Sequence, residues 1–385
     1  MKYKRAAAAC AAGVLLCCSA ALAAGGGAAD PLISKSYVDG DYTTQTLTKA
    51  VERIEQRHDA LYQEAAAGLK SAYGALASRV GTGGGAGTGT GTYYSAFTDL
   101  RVKEGDQIQV SAGSGFLLLA GTAGLSCTGN KAIDLTSGWE KGTGALEAGR
   151  RYLVAEDTVA TLTVTSPTAV LSLEGYHTLT ESASTDYNTL AAALRTMGLF
   201  QGSGTGYGSG FDLEAAPTRI QGLILFLRLI GEEEAALAST AACPFTDVPD
   251  WCRSYAAYAY QQGYTRGMDA ENQIFGTNDT LTARQYVTFL LRALGYQDSG
   301  ENPDFTWDTV LSRAVELGVL TPGEEALLNG EPFLRAQVVY LSYFALDAPC
   351  RDGSGSLLDR LTAAGLLDGA VARVVRSTVT VSRLP

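Results

Sequence analysis

The stretch APTRIQGLILFLRLIG, residues 216–231, decides how the C-terminal half of the chain folds. Thr218 precedes an apolar run, and Gln221 stands three residues later. That is the capping-box spacing: the Thr hydroxyl accepts from the backbone N–H at Gln221, and the Gln side chain reaches back. Gly231 follows the last apolar turn, where a left-handed helix cap is expected. The signature returns in LTARQYVTFLLRALG, residues 281–295, with Thr282, Gln285 and Gly295 in the same roles. A third copy, FLRAQVVYLSYFALDA at 333–348, keeps Gln337 and puts Leu334 where the Thr stood. Three related helices, roughly fifty to sixty residues apart, indicate a repeat architecture.

Working outward, each capped helix has a companion. Tyr187–Leu199 reads as a helix closed by Gly198 and a glycine-rich stretch, and Trp251–Gln262 as one closed by Gly263. The 304–320 segment precedes the third copy. Ser356–Leu367 resembles the first half of another unit, and Val374–Val381 reads as a β-rich tail. Upstream, between Tyr93 and Thr180, the hydrophobic period changes to two. Gln107–Val110, Gly115–Ala120, Lys131–Leu135, Arg151–Ala155, Thr158–Thr165 and Ala169–Tyr176 read as strands of a compact sandwich or barrel.

The N-terminal end has a different composition. Residues 1–23 have a basic start (Lys2, Lys4, Arg5), an apolar core too short to span a bilayer, and the small-x-small site Ala21-Leu22-Ala23, which is the pattern of a secretory signal. Leu47–Leu76 reads as an Ala-rich amphipathic helix, either packed on its own protein or serving self-association. Gly81–Thr92 is a flexible linker; it lacks the spacing and the Lys of a phosphate loop. The expected fold is therefore α+β and multidomain. Its segments are a leader (1–23), a helical segment (24–80), a linker (81–92), a β-domain (93–180), three helical repeats (184–240, 243–298 and 303–349), and a C-terminal helix and tail (350–385).

Charge and cysteine usage narrow the function. Removing the leader takes the formal net charge from −11 to −14, an acidic balance that argues against nucleic acid or anionic lipid as a partner. No later segment is long and apolar enough for a transmembrane helix. Cys127, Cys243, Cys252 and Cys350 remain after cleavage, and export permits bridges among them. Cys243 and Cys252 are nearest in sequence; a bridge there would pin the Phe245–Trp251 opening, and free buried thiols are the equal alternative. The two histidines, His58 and His177, fall in different segments, and no nucleophile elbow, H-E-x-x-H or Cys/His metal spacing occurs. We expect no cofactor. Trp139 and His177 read as core or surface filler, and Glu232–Glu234 as a solvated helix end.

The units resemble S-layer homology repeats, whose pattern is a Phe-x-Asp-Val opening, an aromatic-led helix, a glycine-rich loop and a Thr-Arg-Ala-Glu helix start. The second unit carries Phe245, Asp247, Val248, Trp251, Gly263, Gly267, Phe275, Asn278, Asp279, Thr282 and Ala293-Leu294-Gly295. The first keeps Ala216-Pro217-Thr218-Arg219, and the third keeps Asp304, Trp307, Gly318 and Arg335-Ala336-Gln337. The resemblance covers residues 184–368. It implies an all-α, three-pronged, pseudo-threefold module that binds an acidic, often pyruvylated wall polysaccharide in grooves between prongs. The motif Arg, which makes much of that contact in the family, falls on Arg219 and Arg335. In the second unit the position is Ala283, with Arg284 displaced by one, and the motif Glu is Gln221, Gln285 and Gln337 throughout.

Physical chemistry bears on the same residues. A guanidinium at a helix start adds to the positive end of the dipole, which suits holding a carboxylate better than it suits helix stability. Trp251 and Trp307 could cover a sugar face, although burial against the helix pair is the commoner fate of large aromatics. Arg228 and Arg292 read as solvated ends of a helix face. The expected glycan-binding set is Arg219, Arg335, Gln221, Gln337, Trp251 and Trp307, with the glutamines mainly capping their helices. The expected protein is an exported, non-enzymatic cell-surface protein displaying a β-domain. The alternatives are a wall-processing enzyme with its site in the β-domain, and a layer subunit that self-assembles through its N-terminal helix.

Overall fold

The computed structural model describes residues 91–204, 208–330 and 332–385, with Lys49 and Arg53, both helical. The leader, most of the expected Leu47–Leu76 helix and most of the Gly81–Thr92 linker lie outside the described residues. Thr88–Pro385 forms one compact unit. It is mixed α+β: an all-β half-barrel or sandwich at 92–180, followed by ten α-helices among the described residues.

The β-domain has ten strands: β1 (Thr92–Lys103), β2 (Gln107–Ser111), β3 (Gly115–Ala120), β4 (Ala123–Thr128), β5 (Ala132–Asp134), β6 (Trp139–Lys141), β7 (Gly144–Ala145), β8 (Arg151–Val154), β9 (Val159–Val164) and β10 (Thr168–Thr180). Their order is β6-β5-β8-β3-β10-β2-β9-β4-β7, with β1 also pairing β10. All six expected strands are present. β10 links the two halves of the sheet, pairing β1 and β3 through its first part and β2 through Thr180. It bends at Gly175, whose φ of +89° and close approach to Ser114 leave no room for a Cβ. Ile108, Phe116, Leu118, Tyr152, Leu162, Leu171 and Leu173 fill the interior, supplied by alternate positions of their strands. The largest element missed in the sequence is β1. Its residues do not alternate cleanly because it pairs only β10 and its register shifts between Tyr94 and Thr98.

The helices are α1 (Tyr187–Thr196), α2 (Arg219–Leu229), α3 (Glu233–Leu237), α4 (Arg253–Gln261), α5 (Ala283–Ala293), α6 (Val310–Glu316), α7 (Pro322–Leu328), α8 (Arg335–Ala345), α9 (Leu357–Ala363) and α10 (Gly369–Thr378). The capping boxes form as expected at α2 and α5. Thr218 and Thr282 accept from the N–H of Gln221 and Gln285, and each Gln carbonyl accepts in return. At α8 half the box survives: Gln337 Oε1 accepts from the Leu334 N–H at 2.8 Å. α1, α4, α6 and α9 all end the same way. The N–H after the terminal glycine bonds five residues back, in Leu199 to Leu194, Tyr264 to Ala259, Val319 to Ala314 and Leu366 to Leu361. This end requires positive φ, met by Gly198, Gly263, Gly318 and Gly365. α2 and α5 close in the same way, Glu232 to Leu227 after Gly231 and Tyr296 to Leu291 after Gly295.

Three local readings are corrected. The Val374–Val381 segment is not a β-rich tail; its first part belongs to α10, whose start is capped by Asp368 accepting from Ala370 and Val371 N–H. That cap outweighs the modest helix cost of clustered β-branched residues. Cys243 and Cys252 form no bridge. Both are free, as are Cys127 and Cys350, and the Cys252 thiol is buried with its pKa pushed up to about 11. Glu232–Glu234 is not simply a solvated end: Glu232 accepts from the hydroxyls of Tyr258 and Tyr264, and Glu233 pairs with Arg228.

One core runs through all three repeats, burying Val287, Leu290, Leu291 and Leu294 of α5 with Phe226 and Val339 from its neighbours. The units lean on one another in sequence. The N–H groups of Arg335 and Ala336, starting α8, donate to Ala215 and Leu213 ahead of α2. Those of Arg219 and Ile220, starting α2, donate to Asp279 and Thr277 ahead of α5. The N-terminal donors that a helix cannot satisfy internally are thereby spent on the next unit. Arg101 of β1 joins the β-domain to this assembly. Its guanidinium donates to Asn188 Oδ1 (2.7 Å), Gly208 O (2.8 Å) and Glu214 Oε1 (2.5 Å).

Candidate functional site

Arg219 is the first residue of α2 and points away from solvent, only 5% exposed. Its guanidinium lies between the rings of Phe275 and Phe289, 5.0 and 5.5 Å from their centroids. Nη2 makes a long bond to Thr265 Oγ1, 3.4 Å, and Nε is buried with no partner. Burial and then the repulsion of Arg292 lower its pKa to about 10, so it remains a cation at neutral pH. A buried cation with an unmet donor is costly unless something supplies the missing partner.

Arg219 lies at the base of a cleft of about 330 Å³. Met268, Gln285, Thr288 and Arg292 come from the second unit, and Asp298, Phe305 and Trp307 from the segment leading into the third. Arg292 donates to Tyr264 O (2.8 Å) and pairs with Asp298 (2.5 Å), which Arg266 also touches at 3.1 Å. The expectation of a solvated Arg292 is thus replaced by an ion-paired cleft wall, and Arg228 likewise pairs with Glu233. Trp307 stands 53% exposed at the cleft, not packed away. Trp251 is also exposed, at 64%, in a 3₁₀ turn outside this cleft. The packing expected of the two tryptophans fails because the helix pairs are already filled by Phe245, Phe275 and Phe305.

Arg335 occupies the matching position on α8 and is equally buried. Its surroundings differ. Nε donates to Phe211 O at 3.2 Å, Nη2 to Gln201 O at 3.5 Å, and Phe200 lies 5.7 Å beneath. The opening above it, about 430 Å³, is walled by Ala120 and Gly121 of the β-domain and lined by Asp212, Glu214 and Gln221. Asp212 and Glu214 attract this guanidinium as Asp279 and Asp247 attract that of Arg219; what differs is that the Arg335 Nε has an acceptor and that β-domain residues wall its opening. The structure therefore does not bring the six expected residues to one place. Arg219 and Trp307 share the first cleft; Arg335 and Gln221 share the second; Gln337 caps α8; Trp251 stands apart. Arg292, Asp298 and Met268 were missed. The one signal that could have found them is that Arg228 and Arg292 sit at equivalent places, seven residues after their motif glutamines.

The β-domain offers less. His177 is buried beside Tyr94 with its pKa lowered by burial, and Trp139 is 77% exposed on β6. Among the described residues, no group of three or more His, Cys, Asp or Glu could hold a metal ion, and no helix is long and apolar enough to cross a membrane.

No family model matches the chain. No curated protein matches it either. Among solved structures, a similarity to the crystal structure of the coconut allergen cocosin has 11% identity over 28% of this chain and 36% of that one, at a TM-score of 0.11. The alignment spans about a third of the allergen, and a superposition that poor carries no argument about fold or function.

Proposed function

We propose that this is an exported, non-enzymatic surface protein whose helical half holds an acidic wall polysaccharide through the Arg219 cleft. The observation that carries this reading is the unmet donor. Arg219 is buried and its Nε has no partner; Arg292 repels its charge, while Asp279 and Asp247 attract it without bonding Nε. A carboxylate-bearing sugar entering the cleft would pair with Arg219 in a charge-assisted contact, and Trp307 would cover its apolar face. The resemblance to S-layer homology repeats supports the same ligand class. The start of α8 in the third unit bonds the first unit and the start of α2 in the first bonds the second, a cyclic pattern that supports reading the module as pseudo-threefold. On this account the Arg335 position is structural, so the module offers one acidic-glycan site there rather than two.

The test is a binding assay on the whole chain with a pyruvylated wall polysaccharide, and with the same polymer after its ketal is removed by mild acid. Arg219→Ala is expected to weaken binding to the intact polymer about ten- to a hundredfold, the value of one charge-assisted contact. Arg219→Met should lose binding equally yet melt at or above the wild-type temperature, because it removes a buried charge and keeps the packing. Wild-type affinity in both variants, or equal wild-type affinity for both polymers, would defeat the proposal.

A further inference from the structure

The displaced arginine of the second unit has a place of its own. Arg284 is the second residue of α5, where Arg219 and Arg335 are the first of theirs. One residue along a helix turns the side chain by about 100°. Arg284 is accordingly directed not into the ring of aromatic residues that receives Arg219, but outward to the chain entering the third unit. There Nη1 donates to Trp307 O at 3.3 Å and to Asp308 O at 3.0 Å. Phe305, 2% exposed, anchors the segment ahead of Trp307, and Trp307 itself lies within the turn that Thr306 and Thr309 close. The indole itself is half in solvent at the mouth of the Arg219 cleft.

We propose that Arg284 is a positioning residue that holds the Trp307 segment so that the indole walls the cleft over Arg219. The cleft is then built from three units: Arg219 from the first, Arg284 and Arg292 from the second, and Trp307 from the third. A guanidinium at the second position of a helix opposes the dipole, so its gain has to come from elsewhere, and the two carbonyls beside Trp307 provide it. The pattern of arginines at first, second and first positions is thus a division of labour: one charge meets ligand, one fixes the aromatic wall, and one seats the β-domain side of the module.

The experiment has two readouts, and only the second rests on the wall-glycan reading. In a Trp139→Phe, Trp251→Phe background, Trp307 is the sole tryptophan, since the chain has three. Arg284→Ala should lower Trp307 fluorescence anisotropy and raise its acrylamide quenching, with the melting temperature unchanged. Arg284→Lys, which keeps a donor, should recover part of both. In the polysaccharide assay, Arg284→Ala should weaken binding about tenfold in the wild-type background and have almost no effect in a Trp307→Ala background. Unchanged Trp307 anisotropy would overturn the proposal. So would a binding loss that persists in full without Trp307, which would mean that Arg284 meets the polymer directly. If the wild-type protein binds neither polymer, the anchoring reading fails while the fluorescence readout still decides the role of Arg284.

Discussion

Arg219 and Arg335 begin equivalent helices and are equally buried, yet their chemistry differs. Arg335 donates from Nε and Nη2 to two backbone carbonyls. Arg219 has one distant hydroxyl and an orphaned Nε, although its charged surroundings match: Arg292, Asp279 and Asp247 act on it as Arg228, Asp212 and Glu214 act on Arg335. The two motif arginines therefore differ in whether the fold supplies an acceptor to Nε. The β-domain accounts for much of the contrast, because Ala120 and Gly121 cover the Arg335 side and Arg101 fixes that arrangement.

The contrast can be broken most directly at Arg101. Its side chain and that of Glu214 are 10% and 7% exposed, so Arg101→Ala strands a buried carboxylate and two further acceptors. A loss of about 3–5 kcal/mol is expected in denaturant unfolding, against a much smaller loss for Arg151→Ala at an exposed pair. Proteolysis between the β-domain and α1 should become easier in the Arg101 variant. The next largest effect is at Arg335. Arg335→Ala should cost about 1–3 kcal/mol of stability by leaving Phe211 O and Gln201 O without donors, while polysaccharide binding stays at the wild-type level. A binding loss matching that of Arg219→Ala would erase the distinction drawn here. The smallest effect is at the cap. Gln221→Ala should cost about 1 kcal/mol, because the Thr218 N–H loses its acceptor, with affinity unchanged once the protein is folded.

Much of the helical half was legible in its residues. Thr218 with Gln221, Thr282 with Gln285, and the glycines at helix ends each act over three to five residues, within the reach of a pattern. Strands with clean alternation were equally readable; β2 exposes and buries its residues by turns. β1 was not, since an edge strand with one partner places no strict demand on either face. α10 was misread because runs of valine favour strands on average, whereas a single Asp at position 368 supplies the local cap that starts a helix. The cysteines near Trp251 illustrate the same limit from another side. Nearness in sequence made a bridge conceivable, but Cys243 and Cys252 instead direct their thiols to the carbonyls of Phe245 and Pro249.

The residues alone, then, established the α+β division, the repeated capped helices and the two arginines that open them, because each depends on neighbours along the chain. Which of those arginines keeps an unmet donor was decided only in three dimensions. The groups that answer Arg335 lie more than a hundred positions away in sequence, at Phe211 and Gln201, and the wall above it belongs to another domain. The groups that fail to answer Arg219 are likewise set by how the second unit packs on the first. Electrostatic cost is paid through space, over a few ångströms and in a medium that excludes water, so no spacing of residues along the chain encodes it.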